Sequence, residues 1–257
     1  MKRFGLIGSP IGHSLSPQLF RAGYPLSADT YDLIERETFE EAVSEFKSHY
    51  DAINVTAPYK EMSFLIADSA DSRTNILRAT NLLVKENDGL RAYNTDCSAV
   101  EALLQKTAAG LGRIPRVLVT GCGGAGKAAA LASSILNFPT GVANRDFRKA
   151  QEFCRTSEWM EPLHLDSGEM SGYGFDILVH TLPLVTSDIL SLDLRGRTVI
   201  EANYRNPGLS PHGKEPVYKY IPGIDWLVGQ AASGFRIMTG QFPDMQNLSE
   251  FRAHLRI

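Results

Sequence analysis

A chain of 257 residues with 43% apolar and 21% charged residues is long enough for one large core or two modest ones and has the composition of a globular protein. A net charge of −3 without a basic block argues against a nucleic-acid binder, and no apolar run approaches the ~20 residues needed to span a membrane. Cys97, Cys122 and Cys154 are odd in number and form no C-x-x-C pair, so neither a disulfide frame nor a zinc site is indicated.

Short apolar runs alternate with helical stretches, the pattern of an α/β architecture. Residues 4–8 read as a first strand, which runs into a loop rich in Ser, Pro and Gly. In that loop Ser14 and Ser16 are one residue apart, so in an extended segment their hydroxyls point the same way. Such a pair can grip a carboxylate or a polyol. Ser16 also reads as a helix N-cap, with Pro17 at the first helical position. A second strand covers residues 30–34, and residues 38–48 carry Phe39, Ala42, Val43 and Phe46 at helical spacing. Residues 51–55 form a third strand that breaks at Pro58 and presents Asn54, Thr56 and Lys60 in quick succession. Asn87-Asp88-Gly89 marks a hairpin between residues 81–85 and 90–93, and Asn81 stands just before its apolar run. Asn94-Thr95-Asp96 then reads both as a helix cap and as a polar strand end.

The strand at residues 116–120 leads into Gly121-Cys122-Gly123-Gly124-Ala125-Gly126 and a helix over residues 127–136. G-x-G-x-x-G between a strand and a helix is the dinucleotide fingerprint in its required setting. The first glycine permits a tight turn, the second lets a pyrophosphate approach and the third packs helix on strand. Residues 140–143, 176–180 and 198–202 read as further strands of this half, residues 230–239 as a closing helix, and the rest as an amphipathic tail. The tail is too short to fold alone and is expected to return to the first half. That makes the first domain residues 1–99 completed by 230–257, and the dinucleotide domain residues 100–229.

Taken in order, these motifs and the ending Trp226-Leu227-Val228-Gly229-Gln230-Ala231-Ala232 resemble the shikimate dehydrogenase family along nearly the whole chain. The resemblance implies two α/β domains: an N-terminal substrate domain completed by C-terminal helices, and a doubly wound Rossmann-type domain. It implies reduction of 3-dehydroshikimate to shikimate with NADPH, in the route to aromatic amino acids. Ser14 and Ser16 would hold the substrate carboxylate, and Asn54, Thr56, Asn81 and Gln230 would bind carboxylate or ring hydroxyls. Lys60 and Asp96 would be the catalytic pair. A ketone carbon that accepts hydride builds negative charge on its oxygen, and a nearby ammonium both stabilises that charge and donates the proton. Cofactor contacts would come from Gly121, Gly123, Gly124, Ala125, Gly126, Asn144, Arg145, Lys149, Tyr204 and Gly223.

The chain departs from the family pattern at Phe20-Arg21, at Asp146, at His180-Thr181-Leu182-Pro183 and at Tyr204-Arg205-Asn206-Pro207. Asp146 puts a carboxylate beside the expected 2′-phosphate site, so NADP is the expectation and NAD the alternative. An NAD-dependent quinate/shikimate dehydrogenase and a non-catalytic sensor of metabolite or nucleotide are the rival readings. The expected setting is the cytoplasm: Gly, Pro and His interrupt the basic opening of the chain, leaving no signal core. The expected partners are small molecules, without nucleic acid, membrane or metal, for a monomer or homodimer.

Overall fold

A computed structural model describes residues 1–211 and 217–255. Contacts divide the chain into two compact units: Met1–Thr95 with the segment that starts at Val228, and Asp96–Leu227. Residues 256–257 of the expected tail lie outside the described residues.

The first unit contains β1 (Arg3–Ile7), α1 (Ser16–Gly23), β2 (Thr30–Ile34), α2 (Phe39–His49), β3 (Ala52–Val55), α3 (Lys60–Leu65), β4 (Ser69–Ala70), α4 (Ser72–Leu77), β5 (Leu82–Glu86) and β6 (Gly89–Tyr93). Their strands form one mixed sheet in the order β2-β1-β3-β5-β6-β4. β1 pairs in parallel with β2 and β3, whereas β5 runs antiparallel to both β3 and β6. This arrangement sets the site. Antiparallel pairing brings the start of β5 against the end of β3, so Asn54 stands opposite Leu82 and the residue before it, Asn81, meets the same edge. The ends of β1 and β6 point to that edge as well.

On one face of the sheet α2 buries Phe39, Ala42, Val43 and Phe46 against Ile7, Ile53 and neighbours. Thr38 starts α2 with a reciprocal capping box to Glu41, which satisfies two otherwise orphan amides.

The chain then passes through α5 (Thr95–Ala109) to β7 (Val117–Thr120), α6 (Gly124–Ile135), β8 (Thr140–Asn144), α7 (Phe147–Cys154), β9 (Met160–His164) and α8 (Ser167–Tyr173). There follow β10 (Ile177–His180), α9 (Ser187–Leu190), β11 (Thr198–Glu201), β12 (Lys219–Ile221), α10 (Gly223–Thr239) and α11 (Met245–His254). The second sheet has the order β12-β11-β10-β7-β8-β9, with all pairings parallel. In order along the unit this is 3-2-1-4-5-6, the doubly wound dinucleotide topology. Its central strands are buried throughout, as a parallel sheet with helices on both faces requires. α6 lies close to the sheet because its inner residues are alanines and serines.

In the first unit α11 lies on α1. Leu248 is fully buried, and the Asp244 amide donates to the Gly23 carbonyl at 2.8 Å. The departure at Phe20 is explained here. Its ring contacts Phe4, Tyr24, Tyr31 and Phe235 at centroid distances of 5.2–5.6 Å, joining α1, β1, β2 and α10. Among the described residues no helix is long and apolar enough to cross a membrane.

Four local expectations need correction. Ser16 is not an N-cap: it is the first residue of α1, and Leu15 stands at the cap without a side-chain bond. The loop before it is a turn rather than extended, closed by the Ser14 amide on the Ile11 carbonyl at 2.8 Å. α6 starts inside the glycine loop at Gly124, and α10 starts at Gly223, seven residues before the expected point. At the start of α10 packing outweighs propensity: a Cβ on Gly223 would lie 2.6 Å from the Ala202 carbonyl oxygen.

Candidate active site

At the polar edge of the first unit, side chains form one continuous chain of hydrogen bonds. Ser14 Oγ accepts the Ser16 amide at 3.2 Å and donates to Ser16 Oγ at 3.1 Å, so the turn makes the two hydroxyls converge. Ser16 in turn bonds the phenol of Tyr31, which burial keeps neutral far above the ordinary range for tyrosine. Tyr31 donates to Asn54 Oδ1 at 2.7 Å, and Asn54 Nδ2 donates to the Asn81 carbonyl at 3.1 Å. Asn81 Nδ2 donates to Thr95 Oγ1 at 2.9 Å and to Gln230 Oε1 at 3.2 Å. Asn81 Oδ1 accepts the Thr95 amide at 2.8 Å. That bond caps the start of α5 from a neighbouring strand, a role that local sequence assigned to Asn94 or Thr95.

Five of the six expected substrate contacts, Ser14, Ser16, Asn54, Asn81 and Gln230, therefore belong to a single network. Thr56 stands just beyond β3, half-buried, its amide on the Ile7 carbonyl at 2.9 Å. Asn81 is the most internal member. It is 2% exposed, and its amide group is directed at Thr95 and Gln230, so it orders the edge from within. Lys60 opens α3 at the same edge. Its carbonyl accepts the Thr80 amide at 3.0 Å, next to Asn81, and its side chain is half-buried.

In the second unit Asp96 lies in the first turn of α5, buried, and accepts Trp226 Nε1 at 3.0 Å. The indole fixes the direction of the carboxylate.

The glycine loop follows β7 at the point where the strand order reverses, beside the end of β10. Gly121 has φ +103°, a conformation that side chains rarely adopt. A Cβ on Gly126 would lie 2.0 Å from the Gly121 carbonyl oxygen, so this glycine sets the contact between helix and loop. A Cβ on Gly123 would meet nothing within 4 Å among the described residues, which leaves its exposed backbone open to a ligand at the start of α6. Gly124 and Ala125 continue the first turn of α6.

Asn144 Oδ1 accepts the Cys122 amide at 3.2 Å and ties β8 to the loop. Asp146 is the N-cap of α7, and its carboxylate accepts the Lys149 amide. The charge that departs from the family pattern is thus turned to a helix end, while Arg145 is exposed beside it. Gly223 is buried, with a Cβ there placed 2.6 Å from the Ala202 carbonyl, so packing on the end of β11 accounts for this glycine. Tyr204 is half-buried in the loop after β11.

Residues 6–83 match the family description "shikimate dehydrogenase substrate binding domain". A shikimate dehydrogenase (NADP(+)) of Bacillus anthracis (strain CDC 684 / NRRL 3495) is 30% identical over 270 residues, which cover 97% of this chain and 97% of that protein. This chain belongs to the shikimate dehydrogenase family. Among solved structures, shikimate dehydrogenase of Mycobacterium tuberculosis is 26% identical with TM-score 0.80, covering 99% of this chain and 100% of that one. An Ael1 enzyme from Pseudomonas putida is 28% identical with TM-score 0.78, covering 100% and 99%.

In this shikimate dehydrogenase family member, sequence reasoning missed Tyr31, Thr95 as a network member, and the tie between Trp226 and Asp96. Tyr31 sits in an ordinary apolar strand pattern, and nothing local separates it from a core tyrosine. Only the pairing of β2 with β1 and β1 with β3 carries its hydroxyl to Asn54.

Proposed function

We propose that this enzyme reduces 3-dehydroshikimate to shikimate with NADPH and runs the reverse oxidation with NADP. Family membership over nearly the full length of an NADP-dependent relative carries the reading, and the converged hydroxyls of Ser14 and Ser16 support the substrate assignment. The first unit is the substrate domain and the second the dinucleotide domain. Ser14 and Ser16 bind the carboxylate, and Asn54, Thr56, Asn81 and Gln230 orient it and the ring hydroxyls.

The glycine loop fits a dinucleotide: it leaves open the space that a Cβ on Gly123 would fill and presents α6 amides there. Gly121, Gly123, Gly124, Ala125 and Gly126 take the pyrophosphate, Asn144, Arg145 and Lys149 the adenosine end, and Tyr204 and Gly223 border the rest. When bound, NADPH supplies the hydride. Lys60 stabilises the oxygen of the ketone as charge grows and gives it a proton, completing the alcohol. Asp96 is the second member of the catalytic pair and, held by Trp226, keeps a fixed direction. The enzyme works on these small molecules in the cytoplasm, as monomer or homodimer.

An absorbance assay of shikimate oxidation with NADP and NAD side by side tests the reading. Turnover that favours NADP supports it; silence with both, despite measurable ligand binding, would leave a sensor instead.

The loop geometry separates two glycines. Gly126→Ala forces a Cβ into backbone and lowers stability by about 1–3 kcal/mol, read as a fall in thermal midpoint. Gly123→Ala leaves the midpoint unchanged and weakens NADP binding in calorimetry. Equal midpoints for the two variants would refute this division of labour.

A further inference from the structure

The end of β9 holds a group that none of these roles uses. His164 pairs in register with Asn144 on β8. Neighbouring strands lie about 4.8 Å apart, and partners in parallel register share a face. The His164 ring stacks on Phe147 with centroids 4.2 Å apart and planes at 11°. Phe147 directly follows Asn144-Arg145-Asp146. Two contacts from α8 orient the imidazole: Glu169 Oε1 meets Nδ1 at 2.7 Å, and Glu169 Oε2 accepts the His164 amide at 2.6 Å. Asp166 holds Glu169 in turn by accepting its amide at 2.9 Å. His164, Asp166 and Glu169 place ligand atoms within 4.8 Å of one another, but hydrogen bonds with each other and with backbone amides already engage both oxygens of Glu169, Nδ1 of His164 and one oxygen of Asp166. The trio is built as an orienting network, with the side chain of His164 56% exposed.

We propose that His164 is a specificity-determining residue of the dinucleotide site. The imidazolium carries a proton on each ring nitrogen: Glu169 accepts Nδ1–H, which leaves Nε2–H as the donor toward a phosphate. Nε2–H of His164 donates to the phosphate on the adenosine 2′ oxygen, beside Arg145 and Lys149. The inference rests on the reading of residues 144–149 as the adenosine end of the site.

Calorimetric binding of adenosine 2′,5′-bisphosphate and of 5′-AMP tests it without turnover, on the wild type, His164→Gln and Arg145→Gln. His164→Gln is expected to weaken the bisphosphate about five- to tenfold and to leave AMP within twofold, as loss of one charge-assisted hydrogen bond requires. The KM for NADPH rises in the same proportion with kcat held. Equal weakening of both nucleotides marks a merely structural role and overturns the proposal. If Arg145→Gln loses the bisphosphate preference and His164→Gln keeps it, the proposal falls while the adenosine-end reading stands. If neither variant changes the preference, both fall. Thermal midpoints near that of the wild type show that the variants are folded.

Discussion

Lys60→Ala lowers kcat by about 10²- to 10⁴-fold, the range for loss of a positioned general acid, or about 3–5 kcal/mol of transition-state stabilisation. Substrate KM stays within a few-fold, because the proposed carboxylate grip lies in the Ser14–Ser16 pair and the Asn54–Asn81–Gln230 network. The expectation follows from where the chain puts this lysine. It opens α3 one hydrogen bond from Thr80, so its backbone is fixed at the edge where the polar network lies. The half-buried stem limits the positions that the ammonium can take. Lys60→Arg is expected to restore little, since a guanidinium donates hydrogen bonds but does not release its proton. Steady-state kinetics of shikimate oxidation, with calorimetric shikimate binding as the control, reads the effect. Near-normal turnover in Lys60→Ala with intact binding would remove the proposed role.

Acid weakens this protein through His180, by about 3 kcal/mol between pH 7 and pH 4. The residue closes β10, is 1% exposed, and pairs through Nδ1 with Thr120 Oγ1 at 2.8 Å. Nε2 has no hydrogen-bond partner among the described residues. Burial disfavours the imidazolium and holds the pKa down at about 4, against 6.5 for an ordinary histidine. The sign follows directly. Between these values the unfolded chain binds the proton and the folded protein does not, so stability present above pH 6.5 is lost as pH falls toward 4. Denaturant titrations across that range, on the wild type and His180→Asn, isolate the contribution. Asparagine can keep the bond to Thr120 without titrating, so the variant should show a slope against pH shallower by this amount. Equal slopes would show that His180 does not titrate as its burial requires.

Much of the fold was open to inspection along the chain. β2 spans the expected residues, the hairpin closes at Asn87 and Asp88, and the glycine loop lies between a strand and a helix as its spacing requires. Such features are local: they depend on alternation, turn residues and the steric freedom of glycine, all encoded within a few neighbours. β9 escaped because its signal is weak. β9 carries Pro162 at a sheet edge, where a missing amide is tolerated. Among the short helices, α4 and α8 owe their starts to the caps of Asp71 and Asp166, signals of a single residue rather than of periodicity.

The candidate site divides in the same way. Ser14, Ser16, Asn54 and Asn81 announced themselves as polar residues where apolar runs begin or end, and Gln230 came from the resemblance of the closing motif. Their order along the chain carried the family resemblance. How they join is a matter of long-range pairing. Antiparallel β5 against β3 makes neighbours of Asn54 and Asn81, which are 27 residues apart, and α10 returns Gln230 to Asn81 across 149.

Residue types and their spacing named a dinucleotide loop and a hydroxyl pair, while the roles of the ammonium and the carboxylate came from the resemblance to the family. They could not say that Tyr31 bridges Ser16 and Asn54, that Asp146 turns to α7, or that His180 is buried without a partner for Nε2 among the described residues. Each of those depends on which strands become neighbours and which polar atoms they leave to one another. Burial and hydrogen-bond satisfaction are properties of the assembled sheet, and no window of consecutive residues contains them.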